Sequence, residues 1–343
     1  MPASLRFAVD GLWSGRAFGP AVLEQSGSTL RVVTGTTARR EPTTRLRGTL
    51  LPGVVDRHVH LGLVDGARLA QSAVVEVHDL GWIPEVARDW KRAPHTGGPI
   101  RIAGPFLTAP GGYPLEHAWA PDTAVRQLAD PRAATAAVDE AAAYGHDLVK
   151  VALVSGQGRL DDPTLEAIVT AAHAHGLPVG VHAQGPGQAE RAFVAGADVL
   201  VHTPWTDVLP DETIARMAAS MTWISTLTIH GGVARRRAAH NALAFLRHGG
   251  RLVYGTDMGN GATPVGVHPR EVRALAALAS GVDDLLRMLT GVPDTGPDPA
   301  QVAIPVSRAI VAAGPVPRGR TRLASWLATA GRFDPLSPTG GAR

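Results

Sequence analysis

Beyond residue 53 the chain alternates short, almost wholly apolar runs with alanine-rich stretches in which apolar positions recur at helical spacing. The runs predict strands at 54–60, 74–80, 100–107, 147–154, 179–184, 199–203, 223–229 and 251–257. The stretches between and after them predict helices at 65–72, 84–91, 131–144, 163–175, 187–195, 210–220, 233–247 and 270–288. Prolines in the first turn (Pro84, Pro131, Pro163, Pro210) and glycines past the last (Gly145, Gly176, Gly196) mark these boundaries. Leu148-Val-Lys-Val-Ala-Leu-Val154 is apolar at nearly every position, as a parallel strand covered on both faces should be. Eight strands, each followed by a helix, is the count of an α/β protein built as a (β/α)8 TIM barrel. An open doubly wound sheet is the alternative, but no Gly-x-Gly-x-x-Gly opens a helix here.

The two ends of the chain read differently. Short runs at 5–9, 21–24, 29–33 and 45–51, separated by glycines, predict a small β-domain over residues 1–50. The tail, 291–343, is rich in Pro, Gly and Arg, with apolar runs at 309–313 and 323–328. It is expected to contribute strands or a helix to that β-domain, leaving 51–290 as the barrel. One connection stands out by length: 108–130 is expected to be a structureless loop at the carboxyl ends of the strands, where barrel sites are built, and so a lid or substrate wall.

Composition narrows the chemistry. With 343 residues and 45% hydrophobic content, the chain can bury a large core. Its opening, Met1-Pro-Ala-Ser-Leu-Arg6, has no apolar leader, and no run reaches the length of a membrane helix. A net charge of +3 spread over scattered arginines, with Arg235-Arg-Arg237 as the one tight cluster, argues against nucleic acid as a partner. The expected partner is a small molecule; a homo-oligomer is left open. The absence of cysteine fits a reducing cytoplasm and excludes thiolate metal ligands. Of 33 basic residues only Lys91 and Lys150 are lysine, so a lysine kept against that bias invites a role a guanidinium cannot fill.

The polar residues then fall into a pattern. His58 and His60 end the first strand two residues apart, so they project to one face, and two imidazoles in that posture are half of a metal site. Lys150 lies in the fourth strand, His182 ends the fifth, His202 the sixth and Asp257 the eighth. Five strands thus deliver a metal-capable group to the same end of the barrel. Tyr113 and His117 in the long loop, Trp205 after His202, and His230 past the seventh strand are candidate substrate contacts.

This constellation resembles the amidohydrolase superfamily. Pro52-Gly-Val-Val-Asp-Arg-His-Val-His60 is similar to its first-strand signature, and Lys150, His182, His202 and Asp257 follow in the order of its later ligands. Val75-Glu-Val-His-Asp-Leu-Gly81, Ala109-Pro-Gly-Gly-Tyr-Pro114 and Asp147-Leu-Val-Lys-Val151 are similar to segments of the prolidase/imidazolonepropionase-like branch.

The resemblance implies a hydrolase of C–N bonds in a cyclic amide or dipeptide-like substrate. His58, His60 and Asp257 would hold one divalent metal, and His182 and His202 a second. A CO2-derived carbamate on Lys150 would bridge the pair, the lysine being kept neutral by burial among Val149, Val151 and Leu153. Zinc is the expected metal, with manganese or iron as alternatives. A metal-activated water would attack, with Asp257 as general base and then acid. An esterase, lactonase or phosphotriesterase on the same site, or a non-catalytic metal-binding barrel, are the alternatives. Two departures stand out. Val201 occupies a position where relatives carry Glu, and the segment from Arg318 to Leu327 lacks their acidic residue, which puts the closure of the small β-domain in doubt.

Overall fold

The structure is a computed structural model and describes residues 5–34, 44–156, 158–294 and 296–336. Met1–Ser4, on which part of the leader expectation falls, lie outside the described residues, as do 35–43 and 337–343.

The N-terminal strands are β1 (Arg6–Trp13), β2 (Ala17–Ser26), β3 (Thr29–Val32) and β4 (Thr44–Pro52). A two-residue turn at Gly27 (φ 59°) joins β2 to β3, a conformation glycine adopts without steric cost. The chain then enters β5 (Val54–Val59), β6 (Val74–Asp79), β7 (Ile100–Ile102), β8 (Phe106–Thr108), β9 (Val125–Gln127), β10 (Val149–Val154), β11 (Val179–Gln184), β12 (Val199–Leu200), β13 (Thr222–Ile224) and β14 (Arg251–Val253). Between them run α1 (Pro84–Arg92), α2 (Pro131–Ala143), α3 (Asp162–Ala174), α4 (Gln188–Val194), α5 (Asp211–Ser220) and α6 (Gly232–Arg247), followed by α7 (Pro269–Leu278) and α8 (Val282–Thr290).

All the pairings from β5 to β14 are parallel. They form a sheet β5-β6-β7 and a sheet β14-β13-β12-β11-β10-β8-β9. Hydrogen bonds join the two sheets at both ends. Asp147 N donates to Ile102 O, and on the other side Arg57 N donates to Tyr254 O and His60 N to Met258 O.

Local chemistry accounts for the helices. Asp130 and Asp161 cap α2 and α3 by accepting from Ala133 N (2.8 Å) and Thr164 N (2.9 Å), each beside a first-turn proline. Three expectations need correcting: the single strand expected at 100–107 is two, β7 and β8, which part at Ala103-Gly104-Pro105 and pair in different sheets. The segment expected as one helix over 270–288 is two, because Ser280 N and Oγ both donate to Asp284 Oδ2 and start a new helix after Gly281. The stretch at 65–72 is 3-10 helix (Gly66–Gln71), not α.

The tail adds β15 (Ala303–Pro305), β16 (Ala309–Ala312), β17 (Gly331–Arg332) and the short helix α9 (Leu323–Leu327). With β1–β4 these strands make one seven-stranded sheet, β15-β3-β2-β1-β4-β16-β17. The missing acidic residue therefore does not prevent the tail from joining the sheet. Phe7, Leu12, Leu23, Leu30, Leu50, Val302 and Ile304 form its own buried core. Trp13 Nε1 donates to Asp283 Oδ1 (2.7 Å), and Arg308 pairs with the buried Glu76, which ties this sheet to α8 and β6.

Candidate metal centre and its pocket

In β10 the side chains alternate by the pleat, so Lys150 and Ala152 face one side and Val149, Val151 and Leu153 the other. Lys150 lies alongside Phe106 of β8 and Gly180 of β11 in register, and Ala152 lies opposite His182. The inward side chains of these strands meet the ends of β5, β12 and β14. The result is a cavity of about 720 Å³ lined by His58, His60, Lys150, His182, His202 and Asp257. Tyr113, His117, Trp205 and His230 line it as well, so all ten candidate residues converge on one site.

Its centre is tight. Asp257 Oδ1 lies 3.1 Å from His58 Nε2 and 3.3 Å from His60 Nε2, and these three groups are close enough to share one ion. The neighbouring ring centroids are 4.6 Å apart for His58–His202 and 4.9 Å for His182–His202. Backbone and hydroxyl partners orient the imidazoles from behind. His58 Nδ1 donates to Val201 O (2.8 Å), and His202 Nδ1 is held by Thr226 Oγ1 (2.9 Å). A carbonyl can only accept, so His58 carries its proton on Nδ1 and turns the bare lone pair of Nε2 to the site. That nitrogen is buried and makes no hydrogen bond: it carries no proton, and the Asp257 carboxylate beside it can only accept. An orphaned, lone-pair-bearing nitrogen beside a carboxylate and a second imidazole fits a divalent cation. Val201, noted in the sequence as a departure from the resemblance, serves through its carbonyl.

Electrostatics follow from burial. Desolvation holds His58 and His202 well below the usual imidazole range and pushes His182 down to about 3, so all three are neutral ligand-type bases. Burial alone would raise Asp257, but the adjoining imidazoles of His58, His60 and His202 outweigh it and hold the carboxyl well below the usual carboxylate range. Lys150 is pushed down to about 7 by burial, against the opposing charges of Asp257 and Asp79. The source of that burial is a correction: Val149, Val151 and Leu153 lie on the other face of β10, while Nζ sits 5.6 Å from the Phe106 ring centroid.

Backbone strain concentrates here. Among the described residues, the non-glycine residues with positive φ are Thr226 (41°) and Asp257 (56°), one orienting His202 and the other carrying the central carboxylate. Gly255 precedes this turn because a Cβ there would sit 2.3 Å from Ile224 Cγ2 and 3.1 Å from His58 Cβ. Asn260 Nδ2 donates to Asp257 Oδ2 (2.7 Å) and fixes the second oxygen.

The cavity walls are aromatic. Tyr113 lies parallel to His182 at 4.8 Å, and Trp205 stacks on His230 at 4.5 Å. The connection expected as a structureless loop carries the 3-10 turn Asp122–Ala124 and strand β9, and it does form one wall. Sequence reasoning missed Phe106, Trp119, Gln184 and Asn260 on this cavity, and Asp79 behind it. Asp79 is fully buried and accepts from Leu61 N (2.7 Å), which locks the turn after His60 to the end of β6. Its position at a strand end, and Trp119's place in the same loop as Tyr113 and His117, were the available signals.

No family model matches the chain, and no curated protein matches it in sequence. Solved structures do. A prolidase candidate from Bifidobacterium longum is 21% identical, with a TM-score of 0.74 over 95% of this chain and 92% of that one. The fold is that of the prolidase-like amidohydrolases. An Xaa-Pro dipeptidase with methionine in its active site (19% identical, TM-score 0.66, 84% of this chain and 87% of that one) shares the prolidase-like fold. So does the ochratoxinase of A. niger (17%, TM-score 0.69, 84% of each chain).

Proposed function

We propose that this protein is a metal-dependent amidohydrolase that cleaves a C–N bond in a small amide, cyclic amide or dipeptide-like substrate. The observation that carries the reading is the buried, partnerless His58 Nε2 set against Asp257 and His60 in a cavity reached from five strands. In this reading the two parallel sheets are one (β/α)8 barrel over residues 51–290. The N-terminal 50 residues and part of the tail form a small β-domain beside it.

His58, His60 and Asp257 would hold one divalent metal, zinc being the expected ion, and His182 and His202 a second. Lys150 would join the two sites as a carbamate, formed when its neutral amine bonds to the carbon of CO2 and loses a proton. The bound metal supplies two things: acidification of water near neutral pH and polarisation of the scissile carbonyl. The residues of the chain do the rest. Asp257 Oδ1 faces the histidine pair, so the proton moves on Oδ2, whose position Asn260 sets; the carboxylate takes it from the attacking water and returns it to the leaving nitrogen. The aromatic walls exclude bulk water and raise the strength of every charge interaction inside.

Chelation should abolish amide hydrolysis and Zn²⁺ or Mn²⁺ should restore it; activity indifferent to chelators would sink the reading. For the bridge, metal analysis should find about two ions per chain, falling in Lys150→Ala. A single ion in the wild-type protein would rule the carbamate bridge out.

A further inference from the structure

The pocket's charge inventory says what kind of substrate it admits. The chain carries 33 Lys and Arg, yet among the described residues that line the cavity the basic side chains reduce to Lys150. Lys150 is 1% exposed and lies among the carboxylates of Asp257 and Asp79, so its charge is answered from within the protein. Among the described residues, no arginine lines the cavity. A substrate carboxylate directed at these walls, away from the metal-ligand residues, would give up water without gaining a lysine or arginine partner.

Beside the polar side chains of Gln184, Asn260 and His117, the lining offers flat aromatic surfaces. Phe106, Tyr113 and Trp119 form one wall, with Tyr113 and Trp119 at 6.3 Å and Phe106 and Trp119 at 5.8 Å between ring centroids. The stacked Trp205–His230 pair and Ile229 also line the cavity. Rings arranged in this way offer stacking to a planar group and no countercharge to an anion.

Resting on the amidohydrolase reading for its chemistry, we infer that the site takes uncharged substrates bearing a planar apolar group on the scissile amide, and selects against those with a free carboxylate. This separates the protein from a dipeptidase in substrate class while leaving the reacting bond the same.

The test uses a matched pair of probes, N-benzoylglycinamide and N-benzoylglycine, which share the ring and differ in the carboxylate. Binding of each to the metal-loaded protein is measured by calorimetry, and hydrolysis is followed separately by chromatography. The amide should bind at least about tenfold more tightly, a difference of about 1.4 kcal/mol. Ile229→Arg, which places a cation on the wall, should close most of that gap. Equal or tighter binding of the acid to the wild-type protein, binding of neither probe at millimolar concentration, or a gap unchanged in Ile229→Arg would each overturn the inference. If the amide binds tenfold more tightly yet neither probe is hydrolysed under any metal, the charge selection stands and the amidohydrolase reading falls.

Discussion

Asp56 and His58 are neighbours on β5, both almost fully buried, and they are treated in opposite ways. The Asp56 carboxylate is saturated: it accepts from Thr256 Oγ1 (2.6 Å), Thr256 N (3.0 Å) and His58 N (3.2 Å). His58 is paired on one nitrogen and left bare on the other. The first arrangement joins β5 to the turn after β14 and costs nothing in unmet hydrogen bonds. The second leaves a buried base without a partner, which a protein sustains where something else will fill the valence. Two residues along one strand thus separate a group that ties the strands together from a group left free to bind.

Substitution should pull the two roles apart. Asp257→Asn keeps the shape and the Asn260 contact region but removes the proton acceptor; turnover should fall about 10²–10⁴-fold with little change in thermal midpoint. A variant that retained its rate would show that Asp257 is not the proton acceptor. Thr256→Val should do the reverse, costing about 1–3 kcal/mol of stability by denaturant unfolding, because it strips the shortest bond from a buried carboxylate. Metal content should survive in the folded fraction.

The smallest effect concerns His146, both of whose ring nitrogens are buried and partnerless but which lies outside the candidate metal site. Burial pushes it down to about 4, so the folded state binds fewer protons than the unfolded chain between about pH 6.5 and 4. Stability is present above that window and is lost as pH falls through it. His146→Leu should flatten the fall, measured as unfolding midpoint against pH, and leave hydrolysis unchanged. An orphaned imidazole alone is therefore no site; His58 differs in having Asp257 and His60 at its bare nitrogen.

Much of this arrangement was legible in the chain. Strand positions followed from apolar runs, helix ends from proline, aspartate and glycine, and the two histidines of the first strand from period-two spacing. The single-helix expectation over 270–288 failed because apolar periodicity continues across Ser280-Gly281, while the cap by Asp284 is a side-chain event that periodicity does not register. Trp119 and Asn260 were missed because each acts from a loop, where position along the chain carries no facing rule.

The sequence by itself determined which residue types reach the carboxyl ends of which strands, since alternation along a parallel strand is a local property. It also determined that any metal would be held by imidazole, carboxylate or lysine, because the chain has no cysteine. Only the tertiary structure decided that Val149, Val151 and Leu153 turn away from Lys150 while Phe106 closes over it. The same is true of the Val201 carbonyl that sets the tautomer of His58, and of the aromatic walls, which among the described residues meet without an arginine between them. Each of those facts depends on contacts between segments far apart in the chain, and such contacts exist only once the sheets have closed around the site.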